Sequence, residues 1–96
     1  MKSVRLHPLA DEELVSATDW YLVRSASAAA GFVREIEHAI QRIGEAPERY
    51  PLTRFGRRRF VLLSYPFDVV YRILETEIEI IAVAHHARRP GYWRDR

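Results

Sequence analysis

In the first half of the chain, apolar residues recur every three or four positions, and this spacing predicts a helix over residues 9–24. Pro8 is suited to the start of a helix, and the acidic residues at 11–13 suit the positive end of its dipole. The apolar stripe of this helix contains Ala10, Leu14, Ala17 and Tyr21. We therefore expect an amphipathic helix with one face on a core.

A second helix follows after a break of only a few residues. Either Ser25 or Ser27 can cap its start, and Gly44 with Pro47 ends it. Its apolar stripe consists of Ala29, Phe32, Ile36, Ala39, Ile40 and Ile43. Because the break is short, we predict that the two helices form an antiparallel hairpin.

The second half of the chain contains β-branched and aromatic runs at 58–63, 68–74 and 77–84, separated by short turn-like segments. A further short strand is predicted at 2–6, where Val4 and Leu6 alternate with polar residues. Short connections favour antiparallel neighbours. The predicted fold class is α+β. One domain, residues 1–96, has a two-helix hairpin packed on a small antiparallel sheet in the order β-α-α-β-β-β.

The composition excludes several kinds of site. Apolar residues make up 48% of the chain and charged residues 29%, as in ordinary globular domains. There is no cysteine, which rules out disulfides, thiolate nucleophiles and cysteine metal sites. There is no long apolar run and no signal-peptide pattern at the start. We expect a cytoplasmic protein with no cofactor, no metal and no membrane contact.

Charge is distributed unevenly. Residues 1–48 carry five basic and eight acidic side chains, whereas residues 49–96 carry ten and five. Lys2 is the only lysine among fifteen basic residues. Arginine pairs with phosphate or carboxylate through a planar fork of donors. The basic half indicates either an anionic partner or a solvated basic face.

The stretch "TRFGRRRF" concentrates this charge at the start of a strand. Strand alternation places Arg57 and Arg59 on one face and Arg58 on the other. Since a core does not hold unpaired arginines, one of these faces must meet solvent or a ligand. The stretch predicts either a solvated edge or an anion site.

Arg72 lies between aliphatic residues in the middle of the strand "VVYRIL". Val69, Tyr71 and Ile73 should point to one side, and Arg72 to the other. A buried arginine requires a partner. The alternatives are a salt bridge to Glu77 or Glu79 across the hairpin, or an open position facing a phosphate or a partner's carboxylate.

His85 and His86 end the last strand, and adjacent strand residues face opposite sides. They cannot jointly bind one metal ion without distortion. One of them should share the side of Arg72, near its side chain. There it could serve as a general acid or base, or simply bond to the backbone at a strand end.

The last residues combine arginines with aromatic rings around a Pro-Gly turn. Arg88 and Arg89 precede the turn, and Tyr92 and Trp93 follow it. The rings could stack on bases or pack against the domain. We expect packing for Trp93, because an exposed tryptophan is unfavourable, and a segment that faces a target or partner.

Four segments together resemble the RelE/ParE superfamily of toxins from type II toxin–antitoxin modules, in its ParE-like branch. They are "ADEELVSATDWY", "AAAGFVREIEHAIQRIGEAPERYP", "RRFVLLSYPFDVVYRI" and "IEIIAVAHHARRPGYW". The resemblance runs over nearly the whole chain. It implies a small β-α-α-β-β-β toxin in the bacterial cytoplasm and a cognate antitoxin that binds it in a hetero-oligomeric complex.

The resemblance also implies two classes of target. RelE-like members are similar to ribosome-dependent mRNA endoribonucleases, whereas ParE-like members are described as inhibitors of DNA gyrase. Carried onto this chain, the ribonuclease set would be Arg72 at the phosphate, His85 or His86, and Tyr92. The chain departs from that pattern because no lysine follows Lys2, and Glu48 is only a distant match for the base of some members.

Three hypotheses follow: a ParE-like toxin that inhibits gyrase, a ribonuclease toxin, and a silent member that retains only antitoxin binding. The first agrees best with the missing lysines, since arginine is a poor proton shuttle. The antitoxin is expected to add a strand or lay a helix in a groove. The candidate contacts for a partner or anion are Leu22, Val23, Phe55, Phe60, Arg57, Arg58, Arg59, Arg88 and Arg89.

Overall fold

The computed structural model describes residues 2–96 and confirms the predicted α+β class and order of elements. The strands are β1 (Ser3–Leu6), β2 (Arg58–Val61), β3 (Phe67–Ile73) and β4 (Glu77–His85), and the helices are α1 (Pro8–Arg24) and α2 (Ala26–Glu45). A single 3-10 turn, Pro47–Arg49, follows α2. Neither helix contains a stretch long and apolar enough to span a bilayer.

Ser25 alone joins the two helices. Its N–H donates to Tyr21 O at 2.7 Å and closes α1, while its Oγ accepts from Ala28 N at 3.2 Å and caps α2. The residue is extended, with φ −163° and ψ 115°, so the chain reverses within one position. Of the two predicted caps, Ser25 is the one used.

The sheet has the strand order β1-β4-β3-β2. The β2–β3 and β3–β4 pairs are antiparallel, as predicted, but β1 runs parallel to β4. The parallel pair arises because the helix hairpin and two further strands separate β1 from β4 in sequence, which allows the chain to return in the same direction. A long strand, β4, therefore occupies the centre of the sheet.

A bulge in β4 determines which side chains face the helices. Val70 pairs with Ala82 and Tyr71 with Ile80, so Ile81 is an extra residue without an opposite number on β3. Before the bulge, Ile80 faces the helices. After it, Val83 lies on that side and shares the core with Phe67.

Both sides of the sheet are covered in part. The helix side forms the main core, which includes Phe32, Ile36, Tyr71 and Ile80. On the other side, Trp93 is 5% exposed and packs with Val70 and Ala84, which confirms the predicted packing of this ring.

Helix α1 carries apolar side chains on its exposed surface as well as on the predicted buried face. Ala10 is fully buried, and Leu14, Ala17 and Tyr21 pack partly against the core. A second set of large apolar side chains on α1 is exposed: Leu9, Val15, Trp20, Leu22 and Val23. The helix thus has apolar surface that its own domain does not cover.

Candidate partner-binding and anion-binding surfaces

Arg72 forms the predicted salt bridge with Glu79. Its Nε and Nη2 lie 2.8 and 2.6 Å from Glu79 Oε1, and Arg5 Nη1 lies 2.9 Å from Oε2 of the same carboxylate. Glu77, the alternative partner, pairs with Arg5 instead. Burial opposes ionisation of Glu79, but the hydrogen bonds and charges of Arg72 and Arg5 outweigh it and lower the pKa of this carboxyl.

This network predicts an acid-dependent loss of stability. Glu79→Gln should lower the free energy of unfolding at pH 7 by about 2 kcal/mol, a modest value because Arg72 remains about one-third exposed to water. The folded-state pKa of Glu79 lies below its ordinary value of 4.5. Its ionised form therefore stabilises the fold at neutral pH, and this contribution is lost as pH falls through the folded pKa.

Urea denaturation at pH 7 and pH 3 measures the effect. The difference in free energy of unfolding between wild type and Glu79→Gln should be smaller at pH 3 than at pH 7. Glu75→Gln, in the exposed turn, should have the stability of wild type at both pH values. A gap of the same size at both pH values would show that the carboxylate charge is not what stabilises the sheet.

His85 and His86 face opposite sides of the sheet. The His85 ring lies edge-on to Phe67, with ring centroids 5.0 Å apart, and its Nδ1 accepts from Ala87 N at 3.0 Å. His86 Nε2 lies 2.9 Å from Asp68 Oδ1 on the opposite face. His86 therefore shares the face of Arg72, but Asp68 and Arg72 are four residues apart on β3, about 13 Å. The expected proximity of a histidine ring to Arg72 is not found.

Tyr92 is held by Glu13 of α1, and it lines the same cavity as His85 and His86. Its hydroxyl donates to Glu13 Oε2 at 2.7 Å. Burial, and then the bond to this carboxylate, raise the pKa of Tyr92 well above that of an ordinary phenol. The hydroxyl stays protonated at neutral pH. The structure does not bring Arg72, the histidines and Tyr92 together into one site.

Glu13, Tyr92 and Arg96 form what we call the C-terminal clasp. Arg96 Nη1 and Nη2 each lie 2.9 Å from one Glu13 oxygen, a two-point pairing. Glu13 Oε1 also accepts from Val83 N at 3.0 Å, and Arg96 Nη1 donates to Ile81 O at 2.9 Å. β1 pairs with β4 only over residues 77–80, so the clasp covers the edge that β1 leaves exposed. Nothing in the sequence pattern indicated this role for Glu13.

The face of the sheet opposite the helices carries a shallow basin of about 660 Å³. Its charged and histidine lining residues are Arg54, Arg59, Asp68, His85, His86, Arg88 and Arg89. Asp68 is the one carboxylate among the basin's described lining residues, and it is shared by His86 and, at 3.6 Å, by Arg59. The basin therefore has a net positive charge and suits an anionic partner.

The three consecutive arginines at 57–59 have different surroundings. Arg58 Nη1 donates to the carbonyl oxygens of Glu48 and Tyr50, at 3.1 and 2.7 Å. Arg59 is half exposed beside Asp68, on the opposite face from Arg58, as the alternation predicted. Arg57 Nε is buried, and no described residue accepts its hydrogen.

Comparison with known proteins identifies the family. Residues 4–90 match the model of the family described as "ParE toxin of type II toxin-antitoxin system, parDE". The chain belongs to the ParE toxin family. A search of curated proteins gives no match. One solved structure, described as "Chromosomal ParDE TA system from P. aeruginosa", superposes with a TM-score of 0.77 at 22% identity, over 88% of this chain and 96% of that chain. At this identity the likeness shows the shared fold.

In this ParE family member, the apolar surface available to a partner lies in two places. On α1, Trp20, Leu22 and Val23 are 54%, 57% and 85% exposed. On the edge strand β2 and just after it, Val61 and Leu63 are 51% and 95% exposed. Phe60 was expected to face outward, but it packs against Tyr50 on the core side, with ring centroids 4.8 Å apart. Alternation along β2 then leaves its neighbour Val61 outside.

The outer edge of β2 is only partly closed. Arg59 N donates to Pro51 O, and Leu63 N and Ser64 N donate to Glu35 Oε1 at 2.9 and 3.1 Å. Pro51 has no N–H to return to the strand, so pairing with this segment stops there. Val61 lies between Arg59 and Leu63, and among the described residues only β3 pairs with it. Its outer side is therefore a short open edge in this ParE fold.

Proposed function

We propose that the chain is the toxin of a two-component module, that a cognate antitoxin neutralises it by direct binding, and that it acts by inhibiting DNA gyrase in the bacterial cytoplasm. The observation that carries the proposal is the match to the ParE toxin family over residues 4–90. The gyrase target is the one that the ParE-like resemblance implies.

The positions of the candidate catalytic groups support a binding role. Arg72 is neutralised by Glu79, and the Tyr92 hydroxyl is bonded to Glu13. General acid–base catalysis requires its groups within hydrogen-bonding reach of one reacting site. Arg72 lies outside the basin that His85, His86 and Tyr92 line, and Glu13 engages the Tyr92 hydroxyl, so we infer that the toxin acts by docking rather than by cleaving a substrate.

A supercoiling assay with purified gyrase and antitoxin-free toxin tests this directly. We expect dose-dependent inhibition with accumulation of cleaved DNA. The double variant His85→Ala/His86→Ala should inhibit within about twofold of wild type, because neither ring belongs to a catalytic set. Absence of inhibition at micromolar toxin would contradict the gyrase proposal.

The alternative is a ribosome-dependent mRNA endoribonuclease, and one observation favours it. His86 is paired with Asp68 in a basin that also contains four arginines, an arrangement able to bind phosphate beside a titratable ring. The same double histidine variant distinguishes the two functions. If it abolished growth inhibition while the fold and antitoxin binding stayed intact, the ribonuclease would replace the gyrase inhibitor as our conclusion.

We further propose where the antitoxin binds. A groove of about 700 Å³ runs between α1 and the end of β4, with Leu9, Trp20 and Phe67 on its apolar walls and Arg88 at its rim. A helix with an apolar face fits this groove, and an extended segment fits the open edge of β2 beside Arg57–Arg59. Exposed apolar side chains support both sites, and only the edge of β2 adds an excess of positive charge, since Glu12 and Glu13 balance Arg88 and Arg96 in the groove.

A further inference from the structure

Arg57 contains a donor that the fold buries without satisfying. Its Nε has almost no contact with solvent, and no described residue accepts a hydrogen bond from it. Leaving a buried charged donor without a partner costs about 1–3 kcal/mol or more. Such unpaired groups are rare in folded proteins, and this one belongs to a side chain that lines a pocket with two further arginines.

The surroundings of Arg57 are cationic. A pocket of about 290 Å³, which we call the arginine pocket, is lined by Arg57, Arg58 and Arg72, with Leu52, Tyr71 and Ile73 forming apolar walls. None of the described residues that line this pocket carries a carboxylate. Arg72 uses Nε and Nη2 for Glu79, and Arg58 uses Nη1 for backbone oxygens, so each has further donors to offer.

The backbone leaves this pocket open at the edge of the sheet. β2 begins at Arg58, opposite Tyr71, so Arg72 and Ile73 extend past the end of β2. The loop that carries Arg57 contains Gly56 at φ +76°, a conformation that suits glycine. A ligand can therefore enter the pocket past the end of β2, where Arg72 and Ile73 have no β2 partner.

We propose that the arginine pocket binds a single carboxylate from an acidic side chain of the cognate antitoxin. The apolar walls suit the methylene groups of a glutamate better than the sugar beside a nucleic-acid phosphate. That the carboxylate comes from the antitoxin rests on the proposed function. That the pocket binds a carboxylate does not. The site is distinct from the basin, since Arg57 and Arg72 line the pocket and His86 lines the basin.

The test uses the purified chain alone and follows the Nε–Hε signal of Arg57 by NMR, assigned with Arg57→Lys. Three small probes are titrated at constant ionic strength: N-acetylglutamate N-methylamide, its glutamine counterpart and dimethyl phosphate. We expect the glutamate probe to shift the signal saturably with a Kd of about 1–10 mM, and the glutamine probe to have no effect. Arg34→Lys, on an exposed part of α2, should leave the titration unchanged.

Two results would overturn the proposal. If no probe shifted the Arg57 signal beyond the change seen with sodium chloride, the pocket would not be an anion site. If dimethyl phosphate bound as tightly as the glutamate probe, the assignment to a protein carboxylate would be wrong. Neither outcome depends on gyrase, so a negative supercoiling assay and a negative titration are separate failures.

Discussion

Glu13→Gln should lower the free energy of unfolding by about 3 kcal/mol, because it breaks the C-terminal clasp and leaves the guanidinium of Arg96 without its carboxylate. Both side chains are mostly buried, with exposures of 16% for Glu13 and 13% for Arg96. The carboxylate accepts from Val83 N, from the Tyr92 hydroxyl and from both terminal nitrogens of Arg96. A glutamine has one acceptor oxygen and cannot replace all four bonds.

The loss should also appear at the strand edge that the clasp covers. Without the clasp, the Val83 amide should lose protection from hydrogen exchange by about 100-fold relative to wild type, as expected for local opening of an edge. Glu12→Gln is the control, since it removes a neighbouring exposed charge from the same helix, and it should change stability by less than about 0.5 kcal/mol. If Glu13→Gln and Glu12→Gln lowered the free energy of unfolding equally, the clasp would make no specific contribution to stability.

The variant Arg57→Glu/Arg59→Glu should slow association with the antitoxin by about 10- to 100-fold at low salt, because both side chains lie beside the open edge of β2 and would repel an acidic partner. Arg58 is left unchanged because it bonds to the backbone of Glu48 and Tyr50. Stopped-flow or surface plasmon resonance gives the rate. The difference from wild type should shrink in high salt, which screens exposed charges.

The control for this variant is Arg34→Glu/Arg42→Glu, which changes the net charge equally but on exposed positions of α2. It should slow association with the antitoxin much less than Arg57→Glu/Arg59→Glu does. If both double variants slowed binding to the same extent, net charge alone would explain the result and the edge of β2 would not be the contact.

Much of the architecture follows from local signals in the sequence. Ser25 and Pro8 define the helix ends, and the spacing of apolar residues defines the buried stripe of α2. The Arg72–Glu79 pair was one of the alternatives that the sequence left open, since a buried arginine requires a partner but the sequence does not show whether that partner lies in the chain. The parallel β1–β4 pair depends on how distant segments meet, which no local pattern reports.

The orientation of the histidines could not be predicted for a specific reason. Simple alternation from Ile80 would turn His86 toward the helices, but the bulge at Ile81 reverses the two faces and turns His85 there instead. The role of Glu13 was not predicted either. Glu13 belongs to the acidic run 11–13 near the start of α1, for which a helix-dipole role was a sufficient explanation, and its actual partners are 70 or more positions away.

The central position of β4 also constrains how the protein is made. Ser3 pairs with Glu77, 74 positions later, and β3 pairs with the other edge of the same strand. Such distant pairing slows folding compared with the local contacts of the helix hairpin. A nascent chain can form α1 and α2 early, but neither the groove beside β4 nor the basin exists until β4 has been synthesised. A partial translation product therefore lacks both surfaces, and a partner that recognises them has nothing to bind until the chain has folded around its last strand.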